Sequence, residues 1–169
     1  LSETGLIHLP GQPVPEGGQA LYVIDRHGRK LRVGWFPLPE GVARRASVLI
    51  CPGRTEFIEK YLETVADCHA RGLDAMVMDW PGQGLSQRLT PDPLIGHVDD
   101  FSDMADALAD AVATLGDKLS TRRVLLCHSM GGCIGLMAMI EGKVALDAAA
   151  FSAPMWGIRS TIPALKRIA

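Results

Sequence analysis

From Ala46 onward the chain alternates short, unbroken apolar runs with longer stretches whose apolar residues recur at helical spacing. The runs are "SVLIC" (47–51), "AMVMD" (75–79), "RVLLCH" (123–128) and "LDAAAF" (146–151). A strand with one wet face alternates apolar and polar residues, so unbroken apolarity predicts strands covered on both faces, as in a parallel sheet. Between the runs, Phe57, Tyr61, Val65 and Cys68 share one helical face, with Glu59, Lys60, Glu63 and Asp67 expected on the solvent side. Phe101, Met104, Leu108, Val112 and Leu115 form a second stripe, with Asp99 or Asp100 as its N-cap. A third helix is expected over 131–141, with Gly142 placed to end it. Such alternation predicts right-handed crossovers and an α/β fold, a mostly parallel sheet flanked by helices. Sheets of this kind bind ligands at the carboxyl ends of their strands, which directs attention to the residues after Cys51, Asp79, His128 and Phe151.

Around this pattern the organisation is simple. Residues 1–18 carry three prolines and four glycines and read as an irregular N-terminal arm. "ALYVIDRHGRKLRVGWF" follows as a hairpin turning at Arg26-His27-Gly28-Arg29, and the core is expected over 19–155. With 169 residues, 47% of them hydrophobic, the chain suffices for one globular domain. Its formal net charge of -2, with cations scattered rather than striped, argues against nucleic acid as a partner. No run approaches the roughly 18 apolar residues of a membrane span. The opening "LSETGLIHLPGQPVPEGG" has no signal-peptide pattern, so Cys51, Cys68, Cys127 and Cys133 are expected to be reduced thiols in a cytoplasmic protein. Peripheral contact with a membrane surface stays open.

The third run ends abruptly in "VLLCHSMGGCIGL" (124–136). Ser129 falls between an expected strand and an expected helix, with Gly131 and Gly132 behind it. A sharp strand-to-helix turn exposes the hydroxyl and directs a helix N-terminus toward it, the arrangement of a nucleophile elbow. The alternative is a serine that merely caps the helix.

"CHSMGG" resembles the Gly-His-Ser-Met-Gly-Gly elbow of α/β-hydrolases, in particular the branch of monoacylglycerol lipases and bacterial lysophospholipases. "LICPGRTEFIEKY" is similar to that branch's segment after the third strand, and "DWPGQGLSQR" with "GHVDDF" to the segment after the fourth. The likeness runs over about residues 20–155. It implies the α/β-hydrolase fold and Ser129 as nucleophile toward lipid-like esters, without metal or other cofactor. By the same resemblance the backbone N–H groups of Arg54 and Met130 would form the oxyanion hole, and Cys127, His128, Gly131 and Gly132 would frame the elbow. Asp79 would shape the turn before Pro81-Gly82. The chain departs from the pattern at Cys127, usually glycine, and at Pro52, often histidine.

Other readings of these residues are weaker. Neighbouring side chains leave a strand on opposite sides, so His128 is expected to pack rather than to serve Ser129 as base. Cys127, His128 and Cys133 lack a fourth ligand and a Cys-x-x-Cys spacing, and read as core groups rather than a metal site. His97 either lines the pocket entrance or fixes the loop before the helix. The family's order is serine, acid, histidine, yet no histidine follows Ser129, and the only later acids are Glu141 and Asp147, the second at the far end of its strand. The chain is therefore expected to be the N-terminal part of a longer hydrolase, with residues 156–169 opening a cap and the remainder of the hydrolase as its partner. Two other functions stay open, a non-catalytic binding module on this fold and another acyl hydrolase or peptidase.

Overall fold

A computed structural model of the chain describes residues 2–157. Their strands are β1 (Ser2–Thr4), β2 (Gln19–Ile24), β3 (Lys30–Phe36), β4 (Ala46–Cys51), β5 (Leu73–Met78), β6 (Arg123–His128) and β7 (Ala148–Ser152). They form one sheet in the order β1-β2-β3-β5-β4-β6-β7. The pairings β1/β2, β2/β3 and β3/β5 are antiparallel, and β5/β4, β4/β6 and β6/β7 are parallel. The expected α/β fold is thus present, with the hairpin added to one side. Ser2–Thr4 of the expected irregular arm pair with the otherwise open edge of β2.

The helices are α1 (Leu62–His69), α2 (Phe101–Leu115) and α3 (Met130–Ile140). Alternation along the buried strands divides the core between two faces. Val48 and Ile50 pack with Ile58, Leu62 and Val65 on the α1 face. Leu49, Cys51, Leu125 and Cys127 pack with Met104, Leu108 and Ile134 on the face of α2 and α3. Asp100 caps α2, accepting the Ser102 N–H at 2.7 Å, and Gly142 follows α3 at φ +64.

Two expectations about the first helix are corrected. Phe57 remains extended, residues 58–61 form a 3-10 turn, and the α-helix begins only at Leu62. Glu59, expected in solvent, is fully buried, its carboxylate 2.5 Å from Nη2 of the buried Arg32. Arg32 lies on the α1 face of β3 and would otherwise carry its charge into the core with less compensation.

The chain leaves β4 toward α1 and leaves β6 toward α3, on opposite faces of neighbouring strands. The crevice between their carboxyl ends is the topological switch point where such sheets hold ligands. Trp156 packs against Phe151 in a tilted arrangement, ring centroids 5.2 Å apart. The rest of the expected cap opening, 158–169, lies outside the described residues.

Candidate active site

Ser129 is the first residue beyond β6 and the N-cap of α3, at φ 50 and ψ −118. A serine in this region costs on the order of 1–3 kcal/mol, so its surroundings must impose the conformation. The Ser129 N–H donates to Ser152 O at 3.2 Å, and Ser129 O accepts from the N–H groups of Gly132 and Met155, each at 2.9 Å. Side chains at the next positions would prevent the turn. A Cβ on Gly131 would overlap the Cys51 carbonyl, and one on Gly132 would lie 2.7 Å from Pro154 Cβ. Gly131 thereby lets the start of α3 close onto the chain leaving β4.

That chain, Pro52 to Thr55, is held by several hydrogen bonds. Trp80 Nε1 donates to Pro52 O at 2.8 Å, the Gly53 N–H donates to Glu56 Oε2 at 2.5 Å, and the Thr55 N–H donates to Gln83 Oε1 at 2.6 Å. Thr55 Oγ1 donates to Arg54 O at 2.6 Å. Thr55 itself stands at φ 63, a strained position for a β-branched residue. Among the described residues, neither the Arg54 N–H nor the Met130 N–H donates a hydrogen bond. Two free N–H groups, one just after a serine at a helix N-terminus and one on the neighbouring loop, are of the kind that can stabilise a developing oxyanion.

The remaining candidates occupy different surroundings. Cys127 is buried and pairs in register with Cys51 on β4. Hydrogen bonding to Cys127 and then burial push the Cys51 thiol well up, so it stays protonated and unreactive. His128 turns away from Ser129: its Nδ1 lies 3.2 Å from Ser152 O and its Nε2 3.8 Å from Glu56 Oε1. Asp79 accepts the N–H groups of Ile58 at 2.9 Å and Leu85 at 2.8 Å, tying together the segments that follow β4 and β5. Burial pushes its carboxyl up, against those hydrogen bonds and Arg32. His97 pairs with Asp99 at 2.8 Å in the loop before α2 and lines neither the cavity bordered by Thr55 and Gln83 nor the one by Glu56 and His128.

Glu56, Gln83 and Trp80 escaped the reading of the sequence, although together they shape the Pro52–Thr55 loop. The available signal was weak: polar Gln83 sits between two glycines in "PGQG", and Glu56 falls one turn beyond Gly53. Ser129 is half-buried, and among the described residues no histidine or carboxylate side chain is hydrogen-bonded to it. One cavity, of about 450 Å³, is walled by Leu9, Phe57, Leu85 and Leu94 and bordered by Thr55 and Gln83. Another, of about 390 Å³, lies by Glu56, Tyr61 and His128. Among the described residues, no helix is long and apolar enough to cross a membrane.

The family described as serine aminopeptidase, S33 matches residues 42–169. Lysophospholipase L2 of Escherichia coli strain K12 is 40% identical over 120 residues, covering 69% of this chain and 34% of that protein. The probable lysophospholipase L2 of Haemophilus influenzae is 30% identical over 138 residues, covering 81% of this chain and 43% of that protein. The chain thus spans from about a third to somewhat under half the length of these curated relatives. A crystal structure of a soluble variant of monoglyceride lipase from Saccharomyces cerevisiae, in complex with a substrate analog, superposes with a TM-score of 0.66 at 22% identity, over 88% of this chain and 47% of that one. With its strand order, its strained serine turn and a match over most of its length, the chain belongs to the serine aminopeptidase S33 family and has the α/β-hydrolase fold.

Proposed function

We propose that the whole protein is a serine hydrolase of carboxylic esters, acting on lipid-like substrates such as lysophospholipids or monoacylglycerols through an acyl-enzyme. The observation that carries this reading is Ser129, strained at the N-terminus of α3 with the Pro52–Thr55 loop packed against it through Gly131. Likeness to the lysophospholipases L2 supports the lipid class.

In this reading Ser129 Oγ attacks the ester carbonyl while a histidine takes its proton. The oxyanion is held by the N–H groups of Arg54 and Met130. Collapse releases the alcohol, which leaves with that proton, and water then attacks the acyl-serine to free the fatty acid and restore the hydroxyl. The histidine and its acid partner would come from sequence following this chain in the longer protein. The four free thiols support a reducing, cytoplasmic setting, where the enzyme would meet its substrate at a membrane surface.

Substitution Ser129→Ala in the full-length protein is expected to abolish p-nitrophenyl ester hydrolysis and labelling by a fluorophosphonate probe. Activity retained by that variant would refute Ser129 as nucleophile. A second reading, a non-catalytic module, draws on the lack of a base bonded to Ser129 among the described residues. Absence of fluorophosphonate labelling in the full-length wild type would favour it.

A further inference from the structure

We infer that Glu56 is a positioning residue: through the Gly53 N–H it aims the N–H of Arg54 at the oxyanion. The inference rests on the proposed role of Arg54 and extends it to a side chain that meets neither substrate nor nucleophile. Three side chains hold the loop, Trp80 on Pro52 O, Glu56 on the Gly53 N–H and Gln83 on the Thr55 N–H. The N–H groups on either side of Arg54 are therefore both tied to side chains, and the one between them is left unbonded among the described residues. An N–H fixed beforehand needs no reorganisation as charge develops, which is the condition for strong oxyanion stabilisation.

Glu56 is suited to this part. Its carboxylate is buried and takes three donors at 2.5 Å, the Gly53 N–H, Lys60 Nζ and Tyr61 OH. Lys60 and Tyr61 belong to the turn that leads into α1, so Glu56 anchors the loop to that element. His128 completes the packing: a Cβ on Gly53 would lie 3.2 Å from His128 Cδ2 and 2.9 Å from Glu56 Oε2. This gives the histidine next to the nucleophile a task, walling the far side of the oxyanion loop. The residue before Ser129 thus leaves no room for a side chain on the residue before Arg54.

The test compares Glu56→Ala and Glu56→Gln in the full-length protein, reading kcat and KM on a p-nitrophenyl ester, the rate of fluorophosphonate labelling at Ser129 and the melting temperature. Loss of an oxyanion donor costs about 10²–10³ in kcat. A misaimed donor in Glu56→Ala is expected to cost roughly tenfold or more in kcat and labelling rate, with KM little changed. Glu56→Gln keeps an acceptor for the Gly53 N–H and is expected to recover most of the loss. Wild-type kcat in a folded Glu56→Ala variant would overturn the inference, as would equal losses in the two variants. Should Glu56→Ala not fold, Glu56→Asp decides, because the shorter side chain withdraws the carboxylate from the Gly53 N–H: a loss in kcat with KM little changed supports the inference and an unchanged kcat overturns it. A wild-type protein that neither turns over ester nor labels would instead refute the hydrolase reading itself.

Discussion

The thiol of Cys127 fills the space that a side chain at position 135 would need. A Cβ on Gly135 would lie 2.5 Å from Cys127 Sγ and 2.8 Å from Leu125 Cδ2. The added volume at the usual glycine of the elbow is thus matched by a glycine on the facing surface of α3, and Ser129 keeps its conformation. Overpacking costs about 1–3 kcal/mol, which exceeds the roughly 1 kcal/mol that alanine adds to a helix interior. Gly135→Ala is therefore expected to lower the urea midpoint, and adding Cys127→Gly to recover part of the loss, Leu125 still crowding the new methyl. An unchanged midpoint in the single variant would count against this complementarity. The departure at Cys127 was legible in the sequence, but its partner was not, because the two positions meet only when α3 folds back onto β6.

The connection from β4 to α1 is where periodicity and tertiary structure part. The helical pattern placed Glu59 in solvent, but a buried arginine on β3 draws it inward and Asp79 takes the Ile58 N–H, so the first turn is 3-10 and the helix starts late. Removing one partner of a buried ion pair typically costs about 3–5 kcal/mol. Glu59→Ala is expected to lose about 3 kcal/mol in urea unfolding, Asp79 remaining to Arg32, and a loss below about 1 kcal/mol would contradict that account. Glu56 in the same connection gives a pH signature. Burial pushes its carboxyl up, but Lys60, Tyr61 and the Gly53 N–H outweigh burial and hold it below the ordinary 4.5. A carboxyl depressed by folding contributes stability above its ordinary value that is lost as pH falls through the folded one. Wild-type stability is therefore expected to fall below about pH 4.5 more steeply than that of Glu56→Gln, as read from urea midpoints at a series of pH values. Parallel curves would show that Glu56 adds nothing in that window.

Across the whole molecule, the β7 edge of the sheet and an apolar patch around Leu94 are uncovered among the described residues. β7 pairs only with β6, and Leu94 is 92% exposed beside Ile95, Phe57 and Leu85. Open edges and apolar patches promote association. The 169-residue chain alone is expected to sediment as concentration-dependent oligomers, and Leu94→Lys with Ile95→Lys to reduce them. A monodisperse monomer would show that these surfaces are benign. The sequence by itself determined the alternation of strands and helices, the parallel core and the position of Ser129 at a strand's carboxyl end. Those are consequences of local hydrophobic period and turn chemistry, which each segment carries alone. Tertiary structure decided which N–H groups stay free, where His128 turns, why Glu59 is buried and how Cys127 is accommodated. Each of these depends on atoms from separate segments competing for the same space or hydrogen bond, and that competition exists only once β4, β5 and β6 lie side by side.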